Sequence, residues 1–134
     1  MIEQRQNEMR DKAREIAVGR WLKVGNGQRF IVTFYEDGTL NECRDDNPSE
    51  SWGGSWSADS YVEWYKPGRY SGSMDFVNGT IELLIGEWRS IFTVNGDKAD
   101  ELSGKEYPHH VTPSVYGEYS GQNRGVTFTL TRID

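Results

Sequence analysis

Histidine is the first residue type to consider for metal binding or proton transfer, and the sequence holds only two, His109 and His110. Neighbouring residues of a strand point to opposite faces of a sheet, so these two rings do not readily bind one metal ion. No Cys-x-x-Cys or His-x-x-x-His pattern accompanies them. We interpret the pair as exposed loop histidines, and the sequence predicts neither a metal site nor a cofactor.

Four acidic residues form the next candidate group, around one polar segment: Asp45, Asp46, Glu50 and Asp59. Two neighbouring carboxyl groups can act as general acid and general base. These four, however, stand among Asn, Pro and Ser, where acidic residues are typical of solvated turns. The spacing of a calcium-binding EF-hand loop is absent. The sequence therefore favours a solvated loop over a catalytic or calcium site.

Cys43 is the one cysteine of the sequence, so it cannot form an internal disulfide. It has no histidine nearby in sequence and is predicted to be a small apolar filler. A reducing compartment, the cytoplasm, fits this usage; the periplasm or a secreted location would apply if a leader had been removed. An enzyme inside a barrel would require an ionisable group there with a displaced pKa. Glu63 and Glu82 are the strand acids to check first, although alternation places both outward.

Charge and hydropathy together exclude two classes of partner. The chain of 134 residues carries 15 basic and 21 acidic side chains, a formal net charge of −6. A nucleic-acid binder would show a basic stripe, and none is visible. No stretch approaches the roughly 18 apolar residues of a membrane span. The acidity serves solubility, or, alternatively, it presents an acidic surface to a basic protein partner.

Aromatic side chains are the most informative set, at 13% of the sequence. A small barrel either fills its interior with side chains or leaves a cup for one ligand. Tyr and Trp in such a cup would provide apolar walls with a few hydrogen-bonding tips, as in small-molecule pockets. Both outcomes stay open. The candidates for the barrel lining lie on successive predicted strands: Phe34, Trp56, Trp64, Tyr70, Phe76, Trp88 and Phe92.

One helix and a series of strands must position these side chains within a single domain, 1–134. Apolar residues at helical spacing over 2–17 predict an N-terminal helix, 2–18, that Gly19 terminates, and the remainder, 19–133, is predicted to form the β-barrel. In the last strand, Phe128, Leu130 and Arg132 share one face.

Turn residues divide the region after the helix into roughly eight to ten short strands. Gly25-Asn26-Gly27 and Asp37-Gly38 predict turns, Asn78-Gly79 predicts a further hairpin, and residues 44–53 are predicted to form a polar loop. Further turns are expected at Pro67-Gly68 and Asn95-Gly96. Strands joined in this way favour an antiparallel meander that closes into a barrel or sandwich.

Gly19, Trp21 and Arg132 carry a resemblance to the lipocalins and the wider calycin group. The resemblance implies an eight-stranded antiparallel barrel whose closed end is plugged by Trp21, with Arg132 packed across the indole. Such a contact is worth roughly 0.5–2 kcal/mol. The segments FYEDGTL (34–40) and GSWS (54–57) resemble small bacterial lipocalin-like domains. The chain is shorter than secreted lipocalins and lacks their disulfide.

The sequence therefore predicts an all-β, up-and-down antiparallel barrel of about eight strands with an N-terminal helix. The resemblance and the aromatic strands lead us to expect non-catalytic binding of a small, mostly apolar molecule inside the barrel. A protein-interaction module of the inhibitor or immunity type, with a filled interior, is the first alternative. A barrel enzyme of the isomerase or lyase type is the second. The sequence does not indicate an oligomeric state.

Overall fold

The computed structural model describes residues 2–65, 74–94, 100–108 and 125–133 and shows, within them, one helix followed by eight strands. The elements are α1 (Ile2–Ala17), β1 (Gly19–Gly25), β2 (Gln28–Phe34), β3 (Thr39–Arg44), β4 (Ser51–Tyr65), β5 (Met74–Ile85), β6 (Trp88–Val94), β7 (Glu101–Pro108) and β8 (Val126–Arg132).

Each strand pairs antiparallel with the next, and β8 pairs with β1 to close the barrel. The predicted up-and-down barrel with an N-terminal helix is confirmed. Alternate connections lie at opposite ends of such a barrel. We call the end where α1 enters β1 and where β2 turns into β3 the helix end. The opposite end, where β1 turns into β2 and β5 into β6, is the distal end.

Two of the predicted turns are present. Between β1 and β2, Asn26 and Gly27 have φ angles of 51° and 72°, the left-handed backbone of a type I′ hairpin turn. Between β2 and β3, an oxygen of Asp37 accepts hydrogen bonds from the Thr39 hydroxyl at 2.6 Å and the Thr39 amide at 3.0 Å. These bonds, the hydroxyl bond first, lower the pKa of the Asp37 carboxyl. Gly38 completes this turn with a φ of 88°.

The prediction of a hairpin turn at Asn78-Gly79 is wrong, because both residues lie inside β5. The chain turns instead at Gly86, where φ is 59°. The glycine at position 79 serves packing rather than turning. A Cβ atom there would lie 3.1 Å from the Cβ of Ala13 and 3.3 Å from Met9, so the missing side chain lets α1 approach the strand closely.

The polar loop predicted over 44–53 is shorter in the structure, because β4 begins at Ser51. Ser and Gly are weak strand formers, but pairing with β3 overrides that preference here, with Cys43 opposite Ser51 and Glu42 opposite Trp52. β4 then runs without interruption to Tyr65. The turns predicted at Pro67-Gly68 and Asn95-Gly96 lie outside the described residues, as do His109 and His110.

Apolar side chains fill the interior toward the helix end. Alternate residues of each strand point inward, and α1 covers them by packing against β4 and β5. Ala13 and Ala17 of the helix are fully buried. The strand residues of this core are each at most 5% exposed: Trp21, Val32, Phe34, Leu40, Trp56, Ile81, Leu83, Phe92, Val94, Leu102 and Leu130. Among the described residues there is no helix long and apolar enough to cross a membrane.

Candidate functional site

Trp21 and Arg132 bind the end of α1. The indole nitrogen of Trp21 donates to the Ala17 carbonyl at 2.9 Å. Arg132 donates to the carbonyls of Ile16 and Val18, and its guanidinium carbon lies 4.3 Å from the centroid of the Trp21 ring. The last carbonyls of a helix have no partner within the helix and form the negative end of its dipole. These two side chains therefore supply hydrogen-bond donors to the carbonyls at the helix terminus and hold it against β1 and β8.

Gly19 links the helix to the barrel with a φ of 130°, a backbone conformation that favours glycine. The chain consequently passes from α1 to β1 within two residues, and Trp21 comes directly under the helix terminus. The contact between Trp21 and Arg132 expected from the sequence is present. It arises because the two residues are register partners on β1 and β8.

The distal half of the interior differs, because charged and polar side chains point into it. Lys23 lies two residues beyond Trp21 on β1, and Glu42 lies two residues beyond Leu40 on β3, so alternation directs both inward. Ser90 of β6 and Glu106 of β7 complete the set from the opposite wall. We refer to Lys23, Glu42, Ser90 and Glu106 as the interior polar group.

Hydrogen bonds and ion pairs join this group. The Lys23 ammonium donates to Oε2 of Glu42 at 2.8 Å and to Oε2 of Glu106 at 3.3 Å. The Ser90 hydroxyl donates to the same Glu106 oxygen at 3.2 Å. The other oxygen of Glu42 accepts from the indole nitrogen of Trp52 at 2.9 Å. Every polar atom of Lys23 and Glu42 thus faces a partner of opposite character, as a buried charge requires.

Aromatic rings flank the Lys23 ammonium. Its nitrogen lies 5.2 Å from the centroid of Phe30 and 5.0 Å from that of Phe128, within the range of cation–π attraction. Phe30 meets the Trp52 ring edge-on at 6.0 Å. Phe128 packs over Gly25, where a Cβ atom would come within 2.5 Å of the ring. The distal half therefore combines ionised groups with apolar, aromatic walls.

Glu106 is the member of the group nearest to solvent. Its side chain is 19% exposed, against 2% for Lys23 and 5% for Glu42. Its Oε2 atom accepts from Lys23 and Ser90, whereas no described residue donates to its Oε1 atom. One ammonium and two carboxylates leave the group with a formal charge of −1 at neutral pH. Glu106 is thus the point at which the charge of this group comes nearest to solvent.

The aromatic residues predicted to line the barrel are distributed between its two ends. Phe34, Trp56 and Phe92 are buried in the apolar half, where the rings of Phe34 and Trp56 meet edge-on at 5.6 Å. Trp88 begins β6 at the distal end and is 49% exposed. Tyr70 and the side chains of Trp64 and Phe76 lie outside the described residues.

The acidic residues assigned to a polar loop do not form one cluster. Asp45 and Glu50 belong to the β3–β4 connection and pair with Arg29 at 3.0 Å and Arg44 at 2.9 Å. Asp59 lies well inside β4, so its inclusion was wrong. These exposed pairs contribute little stability. Among the described residues there is no group of three metal-ligating side chains.

Of the remaining candidates, Cys43 lies opposite Ile31 on the outer face of the barrel, half-buried and free, so it does not fill the core. Glu82 also faces outward, 3.8 Å from Arg89. The side chain of Glu63 lies outside the described residues. The ionisable groups that do point inward, Lys23 among them, were not predicted, although Lys23 alternates with Trp21.

No protein-family model, curated protein or solved structure matches this chain. The functional interpretation therefore depends on the geometry of the barrel interior.

Proposed function

We propose that this chain binds a small, mostly apolar molecule at the distal end of a lipocalin-like barrel, without catalysing a reaction. The observation that supports this most is the difference between the two halves of the interior. Apolar side chains fill the helix-end half, and Trp21 and Arg132 pack against each other there beneath α1. The distal half has aromatic walls and an interior polar group that reaches solvent through Glu106. Largely apolar walls with a few placed polar groups are the usual composition of a ligand site.

The assignment to the lipocalin type is part of the proposal. A helix followed by Gly19 and Trp21, an up-and-down barrel of eight strands, and Arg132 of β8 packed on Trp21 all support it. In this arrangement a ligand enters from the distal end. That end is where Trp88 and Glu106 lie.

Calorimetric titration with apolar probes, such as short-chain alcohols and simple aromatic compounds, tests the proposal. Trp88→Ala removes a half-exposed ring from the distal end and should weaken binding about tenfold, which corresponds to roughly 1.4 kcal/mol. Tyr35→Ala is the matched control, because Tyr35 is 48% exposed at the helix end. The control should bind as the wild type does. Absence of saturable binding, or equal weakening by both substitutions, would contradict the proposed site.

A protein-interaction module is the second candidate, favoured by the half-exposed Trp88. Tryptophan is enriched among residues that dominate protein–protein binding energy. In that case the distal half is closed to small molecules, and the wild-type chain fails to bind any of the probes. The same titration therefore separates the two candidates.

A further inference from the structure

We infer that the ligand carries a protonated amine next to its apolar part, and that this amine binds Oε1 of Glu106, to which no described residue donates. The inference deepens the proposed function and depends on it. It concerns the charge and hydrogen-bonding character of the ligand, which the aromatic walls alone leave open.

The charge of the interior polar group is the first reason. Lys23 is the one cation within hydrogen-bonding distance of Glu42 and Glu106 among the described residues. The formal charge of −1 is held between aromatic rings, where an unbalanced charge is much more costly than in water. A cationic ligand would neutralise it, whereas an anionic ligand would add a like charge beside two carboxylates. Like charges brought together at a binding site strongly disfavour binding.

The arrangement of acceptor atoms is the second reason. Both oxygens of Glu42 are in use, one by Lys23 and the other by Trp52. On Glu106, Oε2 accepts from Lys23 and Ser90, while Oε1 has no donor among the described residues. Glu106 is also the more exposed of the two carboxylates. The available hydrogen-bonding position is therefore an acceptor, and it suits a ligand that donates.

The surroundings of Lys23 are the third reason. Its ammonium group lies between two carboxylates and near the rings of Phe30 and Phe128. Carboxylates and aromatic faces are the groups that recognise ammonium ions in proteins. This part of the interior is thus already arranged around one ammonium, and Glu106 extends the same chemistry toward the surface.

Three probes with the same hydrocarbon chain test the inference: octylamine, 1-octanol and octanoate, titrated calorimetrically below their micelle concentrations at neutral pH. Wild type should bind the amine at least tenfold more tightly than the alcohol, since a charge-assisted hydrogen bond is expected to contribute that much. Octanoate should bind no more tightly than the alcohol. In Glu106→Gln the preference for the amine over the alcohol should fall to about twofold or less, because the neutral amide removes the charge that distinguishes the two donors.

Glu50→Gln is the matched control, because Glu50 is an ion-paired but exposed glutamate at the same end of the barrel. It should keep the wild-type preference. If the alcohol binds and the amine binds no better, or if the preference survives in Glu106→Gln, the inference is wrong while the proposed function stands. If none of the three probes binds, both are wrong. If Glu106→Gln does not fold, the order of the three probe affinities on the wild type decides the inference.

Discussion

Glutamine substitutions at Glu42 and Glu106 should have very different effects on stability, although both remove one negative charge. Glu42 accepts a separate donor on each oxygen, from Lys23 at 2.8 Å and from Trp52 at 2.9 Å. A glutamine offers one acceptor and one N–H₂ group in the same space. One of the two donors would then face another donor in a buried position.

The magnitude follows from these contacts. Leaving a buried donor unsatisfied costs about 1–3 kcal/mol, and bonds to a charged partner are stronger than neutral ones. We expect Glu42→Gln to lower the free energy of unfolding by about 2–4 kcal/mol. In Glu106→Gln the amide oxygen can keep the bonds from Lys23 and Ser90, and the N–H₂ group takes the place of Oε1, to which no residue in the described part of the chain donates. That change should stay within about 1 kcal/mol of the wild type.

Urea unfolding followed by far-UV circular dichroism measures the difference. With a slope near 2 kcal/mol per molar, a loss of about 3 kcal/mol lowers the midpoint by about 1.5 M. Glu50→Gln is the surface control and should change stability by less than about 0.5 kcal/mol. Equal losses at Glu42 and Glu106, or a larger loss at Glu106, would refute the hydrogen-bonding pattern described for the interior polar group.

Three further outcomes are expected. Gly79→Val should crowd α1 and lower the free energy of unfolding, measured in urea, by about 1–3 kcal/mol. Gly53→Val is the control and should not, because a Cβ atom at Gly53 has only an ordinary contact at 3.7 Å. Equal losses in the two variants would contradict the packing described for Gly79. Arg132→Lys keeps the positive charge over Trp21 but loses the forked guanidinium donors. We expect the free energy of unfolding to fall by about 1–3 kcal/mol and amide hydrogen exchange in α1 to become faster. Unchanged exchange would contradict the role of Arg132 in holding the end of α1. Because the Asp37 pKa is lowered by folding, its carboxylate stabilises the fold above its unfolded pKa, and this contribution disappears as the pH falls through the folded pKa. Unfolding midpoints of wild type and Asp37→Asn should therefore converge on acidification; a constant gap would contradict the linkage.

The fold was predictable because its determinants are local. Alternation of apolar residues marks the inward face of most strands, and the Asn26-Gly27 and Asp37-Gly38 pairs mark tight turns wherever they stand between two such runs. The same rule failed at Asn78-Gly79, where the glycine accommodates a helix from a distant part of the sequence. A turn signal cannot be distinguished from a close-packing requirement without knowing what lies opposite.

The interior polar group was not predictable, because its members come from four different strands. Lys23, Glu42, Ser90 and Glu106 become neighbours only when the barrel closes and the registers are set. The sequence did contain a weak indication, because each charged member of the group occupies one of the alternating positions of its strand that point inward. Attention to charged residues at inward positions would have identified Lys23 and Glu42 before Glu63 and Glu82.

The bonds from Arg132 to the end of α1 also constrain the order of folding. They join residues 114 and 116 positions apart in the chain. Closing a loop of that length costs about 4 kcal/mol of chain entropy, and sheets dominated by such distant contacts fold slowly, in milliseconds to seconds. On a ribosome, α1 is synthesised before β8, so it cannot acquire the bonds from Arg132 until β8 has been made. The docking of α1 is thus among the last steps of folding, and it requires that β8 is already paired with β1.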